Sequence, residues 1–363
     1  MVFVINYSII SNKEGLISIE NDWRRLAERF KNPLLDFDWF SAGAEAFNSN
    51  EPLSIFIIKN GSQISAIAPL ADTIERDVNK LELIGSPFLG EPGGLLYSDQ
   101  SSLEMLLRVI IRKKKPIFLR RLQSNSPETD LVKKMHITRS ICRIKDGGSV
   151  PWISINTNWD DYLEGLSSRR RYDLRRAEKR ANEFGRVEVE VLSPKVEDLE
   201  KLLQEIYLVE ATGWKGDKGS AILKKPRLKN FFSLYSTKAA SQNMLRLGFL
   251  RIEGKSVAVL LGVQYAKRFW VLKIGYNEYY SKCSPGILLI HHTIRYAFDN
   301  RLEAYEFLGW DQPWIHMWNC QLRHCVSPLI YPYSLSGGMA FTKDVVRYVE
   351  KKIKFWSNHV RSE

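Results

Sequence analysis

No run of eighteen apolar residues occurs anywhere in this 363-residue chain, so no stretch has the length and polarity of a bilayer-spanning helix. Cysteine is scarce too. Cys142, Cys283, Cys320 and Cys325 include no C-x-x-C pair, and the nearest two stand five apart with His324 between them. That spacing excludes the usual zinc motifs and a disulfide scaffold, so reduced thiols and no metal are expected. The opening MVFVINYSII lacks the basic lead and small-residue cleavage site of a secretory signal and reads as a β-strand. Acidic residues are outnumbered, 41 against 53 Lys and Arg, which gives a formal net charge of +12. Such a balance bears on partners and not on fold: a polyanion, an anionic membrane surface or a phosphorylated ligand. What the chain does have is 44% hydrophobic content and ten Trp, enough for large buried cores and contrary to disorder. A cytoplasmic setting is expected, with peripheral membrane contact left open.

The length predicts two domains. In the first half, SIENDWRRLAERFKN spaces Trp23, Leu26, Ala27 and Phe30 as a helix that Asn32-Pro33 ends, and LLDFDWFSAGAEAF reads as a second helix. Two β-rich runs flank Asn60-Gly61, a strong hairpin signal. KLELIGS is a further strand, 85–97 a Gly/Pro-rich loop, 101–113 a helix and 116–122 a strand. KDGGSV at 145–150 is the candidate linker. From Trp152 the order restarts: PWISI as a strand, one helical stretch over 158–184, RVEVEVL as a strand, and the long amphipathic VEDLEKLLQEIYLVEATGW. A hairpin turning at Glu253-Gly254 follows, then a Ser284-Pro285-Gly286 loop, the helix ILLIHHTIRYAFDN and the strand AYEFLGW. Both halves thus carry one order of elements, an internal duplication without sequence identity. The expected division is 1–150, 151–335, and a C-terminal basic amphipathic helix over 336–363.

The ordered set LSSRRRYDLRRAEKR, EATGWKGDKGS, KIGYNEYYSKCSPGILL and FLGWDQPWIHMW, with NPLLDFDWFSAGAEAF and ISAIAPL before it, resembles the GNAT-fold acyltransferases of the CelD type. These are relatives of the FemABX aminoacyl transferases. The resemblance covers roughly residues 20–320 and rests on the set, no single motif being decisive. It implies an α/β fold of two tandem GNAT domains, each a mixed sheet flanked by helices, with acyl-CoA as donor bound by the second and the first helping to form the acceptor cleft. It further implies that two parallel strands, Phe269–Tyr276 and Ala304–Trp310, splay apart to receive the pantetheine arm along Lys273, Ile274 and Gly275. The loop Ser281–Gly286 and the helix after it then meet the pyrophosphate, since a helix N-terminus offers unpaired N–H groups to an anion. There Ser284 can cap, Pro285 suits the first turn and Gly286 allows close approach; a plain N-cap without ligand is the alternative. In relatives, the last strand is followed by an acidic residue, Pro, Tyr-Lys and Trp. Here Asp311, Pro313, Trp314 and Trp318 fit, while Ile315 stands at the Lys position and His316 follows it.

Acyl transfer to an amine or hydroxyl needs a base for the nucleophile and a proton donor for the leaving group. Asp311 lies just beyond the carboxyl end of a strand, where open α/β sheets bind ligands. His316 is the second candidate, because imidazole is the usual general base; Glu210 precedes Trp214 by one turn, and Tyr276 can protonate the leaving group. Each has a structural alternative: a helix cap for Asp311, a surface site for His316, a lysine pair for Glu210. Trp214, Lys215, Trp314 and Trp318 are substrate-platform or core candidates, and His291-His292 in an apolar helix read as structural.

The segment Leu166–Arg186 sets eight basic residues against three acidic ones. Arg169, Arg171 and Arg175 are candidates to meet an anionic ligand; the alternatives are a solvated face and nucleic acid, including tRNA. No DNA-binding module surrounds the segment. In the tail, Val345 or Val346, Val349, Ile353 and Trp356 form a stripe ringed by Lys343, Arg347, Lys351, Lys352 and Lys354. It either packs on the body or meets an anionic membrane surface. The expected activity is acyl transfer to an amino or hydroxyl group of a sugar, a polysaccharide or lipid-linked precursor or a small amine. A transferase using aminoacyl-tRNA and a non-catalytic binding protein of the same fold are the competing classes.

Overall fold

The structure, a computed structural model, describes residues 6–48, 52–75, 77–212 and 221–360. Its strands are β1 (Tyr7–Ile10), β2 (Leu53–Asn60), β3 (Gln63–Glu75), β4 (Val78–Leu83), β5 (Leu96–Tyr97), β6 (Ile117–Phe118), β7 (Leu122–Gln123), β8 (Ser140–Ser154), β9 (Val187–Leu192), β10 (Leu245–Ile252), β11 (Lys255–Tyr265), β12 (Arg268–Tyr276), β13 (Ala304–Glu306) and β14 (Gln321–Pro332). Contacts divide the chain into two compact units that interleave in sequence. One comprises Met1–Arg29, Asn48–Gly147 and Cys325–Glu363, the other Phe30–Phe47 and Gly148–His324. The expected division after residues 150 and 335 follows chain order; the contacts do not.

In the first unit the strand order is β1-β2-β3-β4-β6-β14. Neighbours run antiparallel except β4 and β6, which pair in parallel through Leu81↔Ile117 and Glu82↔Phe118. The helix Gln100–Arg112 covers this sheet. Asp99 starts it by accepting the Ser102 N–H at 2.8 Å, and Leu103, Leu106, Leu107 and Ile110 recur at helical spacing into a core with Phe56, Ala68, Leu70 and Leu81.

The second unit repeats the pattern as β9-β10-β11-β12-β13-β8. All pairs are antiparallel except β12 with β13. Each unit is therefore a mixed sheet flanked by helices, as the family resemblance implies. The helix Phe37–Phe47 belongs here. Trp39 sets its ring edge-on to Phe231 at 4.9 Å and to Tyr235 at 5.0 Å, both on the helix Pro226–Ser241. The buried Asp38 accepts from Lys238 at 3.3 Å and from Gln242.

Two sequence expectations change. The stretch 158–184 is two helices, Trp159–Gly165 and Ser168–Phe184, because Leu166 turns to extended backbone and is buried, after which Ser167 caps the second helix. The proposed linker KDGGSV lies inside β8. Its glycines permit close approach instead of marking a loop: a Cβ on Gly147 would sit 2.9 Å from the Cys325 backbone, and one on Gly148, at φ +71, 2.5 Å from the Trp310 ring.

Candidate functional site

β12 and β13 pair only over Arg268–Trp270. Beyond Glu306 the chain of β13 stays beside β8, with the Phe307 N–H donating to the Pro151 carbonyl and the Asp311 N–H to the Ser149 carbonyl, both at 3.1 Å. β12 instead follows β11 as far as Tyr276↔Ala258. Its register slips between Val271↔Gly262 and Lys273↔Leu261, leaving Leu272 as a bulge. A bulge bends its strand and sharpens the twist, so β12 turns away where its parallel partner ends. Among the described residues no second strand therefore pairs with β12 on that side from Val271 to Tyr276.

At the end of this edge the chain makes a 3-10 turn, Glu278–Cys283, and enters the helix Pro285–Asp299. Ser284 sits in the left-handed region at φ +49 and makes no side-chain cap, against the expectation for it. An N-cap side chain reaches the first turn from extended backbone, which Ser284 does not have. Its carbonyl instead accepts from Ile287 and Leu288. Gly286 lies against Tyr276: a Cβ there would be 3.2 Å from the ring's Cδ1. Burial, with the Glu278 carboxylate beside it, raises the Tyr276 phenol above its ordinary range, so it stays protonated at neutral pH and able to donate.

Gly275 has a packing role. Any Cβ on it would meet the Glu210 Cα at 2.6 Å, so the helix Leu199–Ala211 rests directly on β12. Glu210 is buried and accepts the Ile222 N–H at 2.9 Å. The Lys273 ammonium lies 5.2 Å from the Phe232 ring centroid, and Ile274 packs partly buried against the core.

Past β13, a 3-10 turn over Pro313–Trp318 folds His316 back so that its Nε2 lies 2.6 Å from Asp311 Oδ1. An ionised carboxylate only accepts, so in this contact Nε2 carries a proton, and in a neutral imidazole Nδ1 then holds the lone pair. Gln312, and not Asp311, is the residue at the start of that turn. Ile315, at the Lys position, is buried in the core, whereas His316 is half exposed. Trp318 is fully buried in that core and presents no face to a ligand, unlike Trp314, which is 39% exposed. Trp214 and Lys215 lie outside the described residues.

The basic helix turns Leu174, Ala177 and Ala181 into the core. Arg180 donates to the Lys282 carbonyl at 3.2 Å, at the turn before the helix Pro285–Asp299. Arg171 donates to the carbonyls of Glu164 and Leu166, closing the preceding helix, while Arg169 and Arg175 are exposed.

Sequence reasoning missed Glu306. It is fully buried and bound by Arg268 at 2.9 Å and by both terminal nitrogens of Arg323, whose guanidinium lies 3.9 Å over the Trp152 ring. The signal was available: one acid inside the apolar strand AYEFLGW. Missed too was Ser149, whose Oγ is 2.9 Å from His324 Nδ1. Among the described residues no group of three or more His, Cys, Asp or Glu is placed to hold a metal ion, and no helix is long and apolar enough to cross a membrane.

A mixed sheet whose two central parallel strands part at a bulge, with a helix N-terminus at the end of the gap, is the arrangement that the family resemblance implies. In agreement, residues 168–314 match the family model of the acetyltransferase (GNAT) domain. No relative with a curated description matches the sequence. Among solved structures, FemX aligns with a TM-score of 0.58 at 11% identity, covering 90% of this chain and 97% of its own. The L-PGS of Bacillus licheniformis aligns at 0.55 and 13%, covering 91% and 96%. At such identities the likeness is one of fold.

Proposed function

We propose that the protein transfers an acyl group from acyl-CoA to an amino or hydroxyl group of a sugar, polysaccharide precursor or small amine. The observation that carries this reading is the gap that opens where β12, bent by the bulge at Leu272, leaves β13 beyond Trp270. An extended amide-bearing arm such as pantetheine fits such a gap between parted strands. In the first turn of the helix Pro285–Asp299, Pro285 has no N–H and those of Ile287 and Leu288 donate to the Ser284 carbonyl, so the Gly286 N–H, with no side chain over it, is the group placed to meet a phosphate. Lys282 and Arg180 add positive charge beside it, and Glu278 opposes them.

In this reading the acceptor nitrogen or oxygen forms a bond to the acyl carbon as the Nδ1 of His316, oriented by Asp311, takes its proton. The carbon–sulfur bond then breaks, and the Tyr276 phenol gives its proton to the departing thiolate. Glu210 holds the helix that supports β12. Trp314 offers an aromatic face to an acceptor. Calorimetric titration with acetyl-CoA and with a long-chain acyl-CoA tests the donor class. Micromolar binding to either, weakened at least tenfold by Gly286→Val, is expected; absence of binding to both sinks the proposal.

The fold shared with FemX and an L-PGS, together with a helix start that lacks a Gly-rich phosphate loop, favours one second reading, in which the donor is an aminoacyl-tRNA and the basic helix meets its phosphates. Activity that needs charged tRNA and disappears with ribonuclease would select it.

A further inference from the structure

The C-terminal helix Leu335–Val360 packs on its own unit through one face. Gly337 and Ala340 are buried there, Phe341 lies beside Tyr331 at 5.4 Å, and Asp344 accepts from the Tyr331 hydroxyl at 2.5 Å. These positions step by three and four. A different stripe stands outside that face, with Thr342 at its middle step: Leu335 is 90% exposed, Met339 57%, Val346 50%, Val349 47% and Ile353 62%. Tyr333, just before the helix, is 64% exposed. Single exposed apolar residues are ordinary, but five in register along one helix form a contiguous surface that calls for a partner.

The charge around this stripe narrows what that partner is. The Ser334 and Ser336 hydroxyls both donate to the Lys114 carbonyl, at 2.8 and 2.9 Å. The chain's run Arg112-Lys113-Lys114-Lys115 therefore abuts the start of the apolar stripe. Arg112, Lys113 and Lys114 are exposed, as is Lys343 one turn beyond Met339. Glu350 is the exposed acid on the helix, while Asp344 is enclosed by Tyr331 and Lys145. A second copy of this chain would set positive against positive at the helix start. An anionic bilayer offers an apolar interior to the stripe and phosphates to the lysines at once. We infer that this helix lies in the plane of an anionic lipid surface, with Leu335, Met339, Val346, Val349 and Ile353 in the acyl region and Arg112 to Lys114 at the headgroups. The inference does not depend on the identity of the acyl donor.

The test is co-sedimentation of the full chain with vesicles of phosphatidylcholine alone or with about 30% phosphatidylglycerol, a fraction in the range where anionic surfaces hold basic helices. Binding to the anionic vesicles only is expected. The double variant Met339→Glu/Val349→Glu should weaken it at least tenfold, and Lys113→Glu/Lys114→Glu should do the same. All these sites are exposed, so the melting temperature of each variant serves as the check on folding. Equal binding to both vesicle types overturns the inference, as does binding indifferent to either double variant. It is also overturned by light scattering that finds a dimer in solution which Met339→Glu/Val349→Glu converts to monomer, because a second copy then covers the stripe.

Discussion

Replacing Gly275 by alanine tests whether β12 and the helix Leu199–Ala211 are in direct contact. The added Cβ would lie 2.6, 2.8 and 2.9 Å from Cα, Cβ and Cγ of Glu210. The nearest of these is a backbone atom, so relief requires the whole helix to move. Overpacking of this kind costs about 1–3 kcal/mol, and in a unit of this size each kcal/mol lowers the melting temperature by about 2–4 °C. The same shift pulls Glu210 from its hydrogen bond to Ile222. Gly286→Ala is the matched comparison, because its Cβ would meet only the rim of the Tyr276 ring, at 3.2 Å, and a ring can tilt. Its stability should stay within about 0.5 kcal/mol of the parent, while its acyl-CoA affinity falls. Thermal melts and donor titrations on both variants make the comparison. A Gly275→Ala protein that melts like the parent and loses donor affinity would refute the packing role and make Gly275 a ligand contact.

Other predictions concern charge. Asp311→Asn and His316→Ala should each lower kcat by about 10²- to 10⁴-fold without changing the melting temperature; unchanged turnover would remove the pair from catalysis. His291, held among Trp159, Trp318 and His292, is driven by burial down to about 4, so the unfolded chain binds its proton first as pH falls. Its share of stability is whole above pH 6.5 and drains away towards pH 4, about 3 kcal/mol in all. His291→Phe should flatten urea-unfolding stability across that window, and a variant with the parent's slope would count against the assignment. Glu306→Gln leaves Arg268 and Arg323 facing a neutral amide and should cost about 3 kcal/mol, the low end for a broken buried pair, since their side chains are 31% and 24% exposed. Denaturant unfolding that matches the parent would show that the carboxylate is dispensable.

What the sequence disclosed was local. Gly61-Ser62, one residue on from the expected Asn60-Gly61, and Glu253-Gly254 turn β2 into β3 and β10 into β11 because the chemistry of a tight turn sits in two residues. The repeated order of elements became a repeated strand order for the same reason, each strand and helix bearing its own periodicity. Gly147-Gly148 misled because a glycine that admits a neighbouring backbone looks the same in sequence as one that loosens a loop. The Asp311 to His316 contact spans five residues, matching neither helical nor strand spacing, and exists only because a 3-10 turn closes it. The parting of β12 from β13 was expected from family resemblance, but the bulge at Leu272 that causes it has no residue signature: leucine is an ordinary strand residue.

The interleaved units also set the order in which the protein can be made. The helix Phe37–Phe47 leaves the ribosome early, yet Phe231 and Tyr235, which receive Trp39, are translated nearly two hundred residues later. The partners that β14 gives to β6 and β7 come later still. Neither unit can close when its first half emerges. Nascent chains stalled before residue 325 should therefore hold an unfinished first sheet with the edge of β6 bare, a species that pairs readily with strangers and gives a chaperone reason to wait for β14.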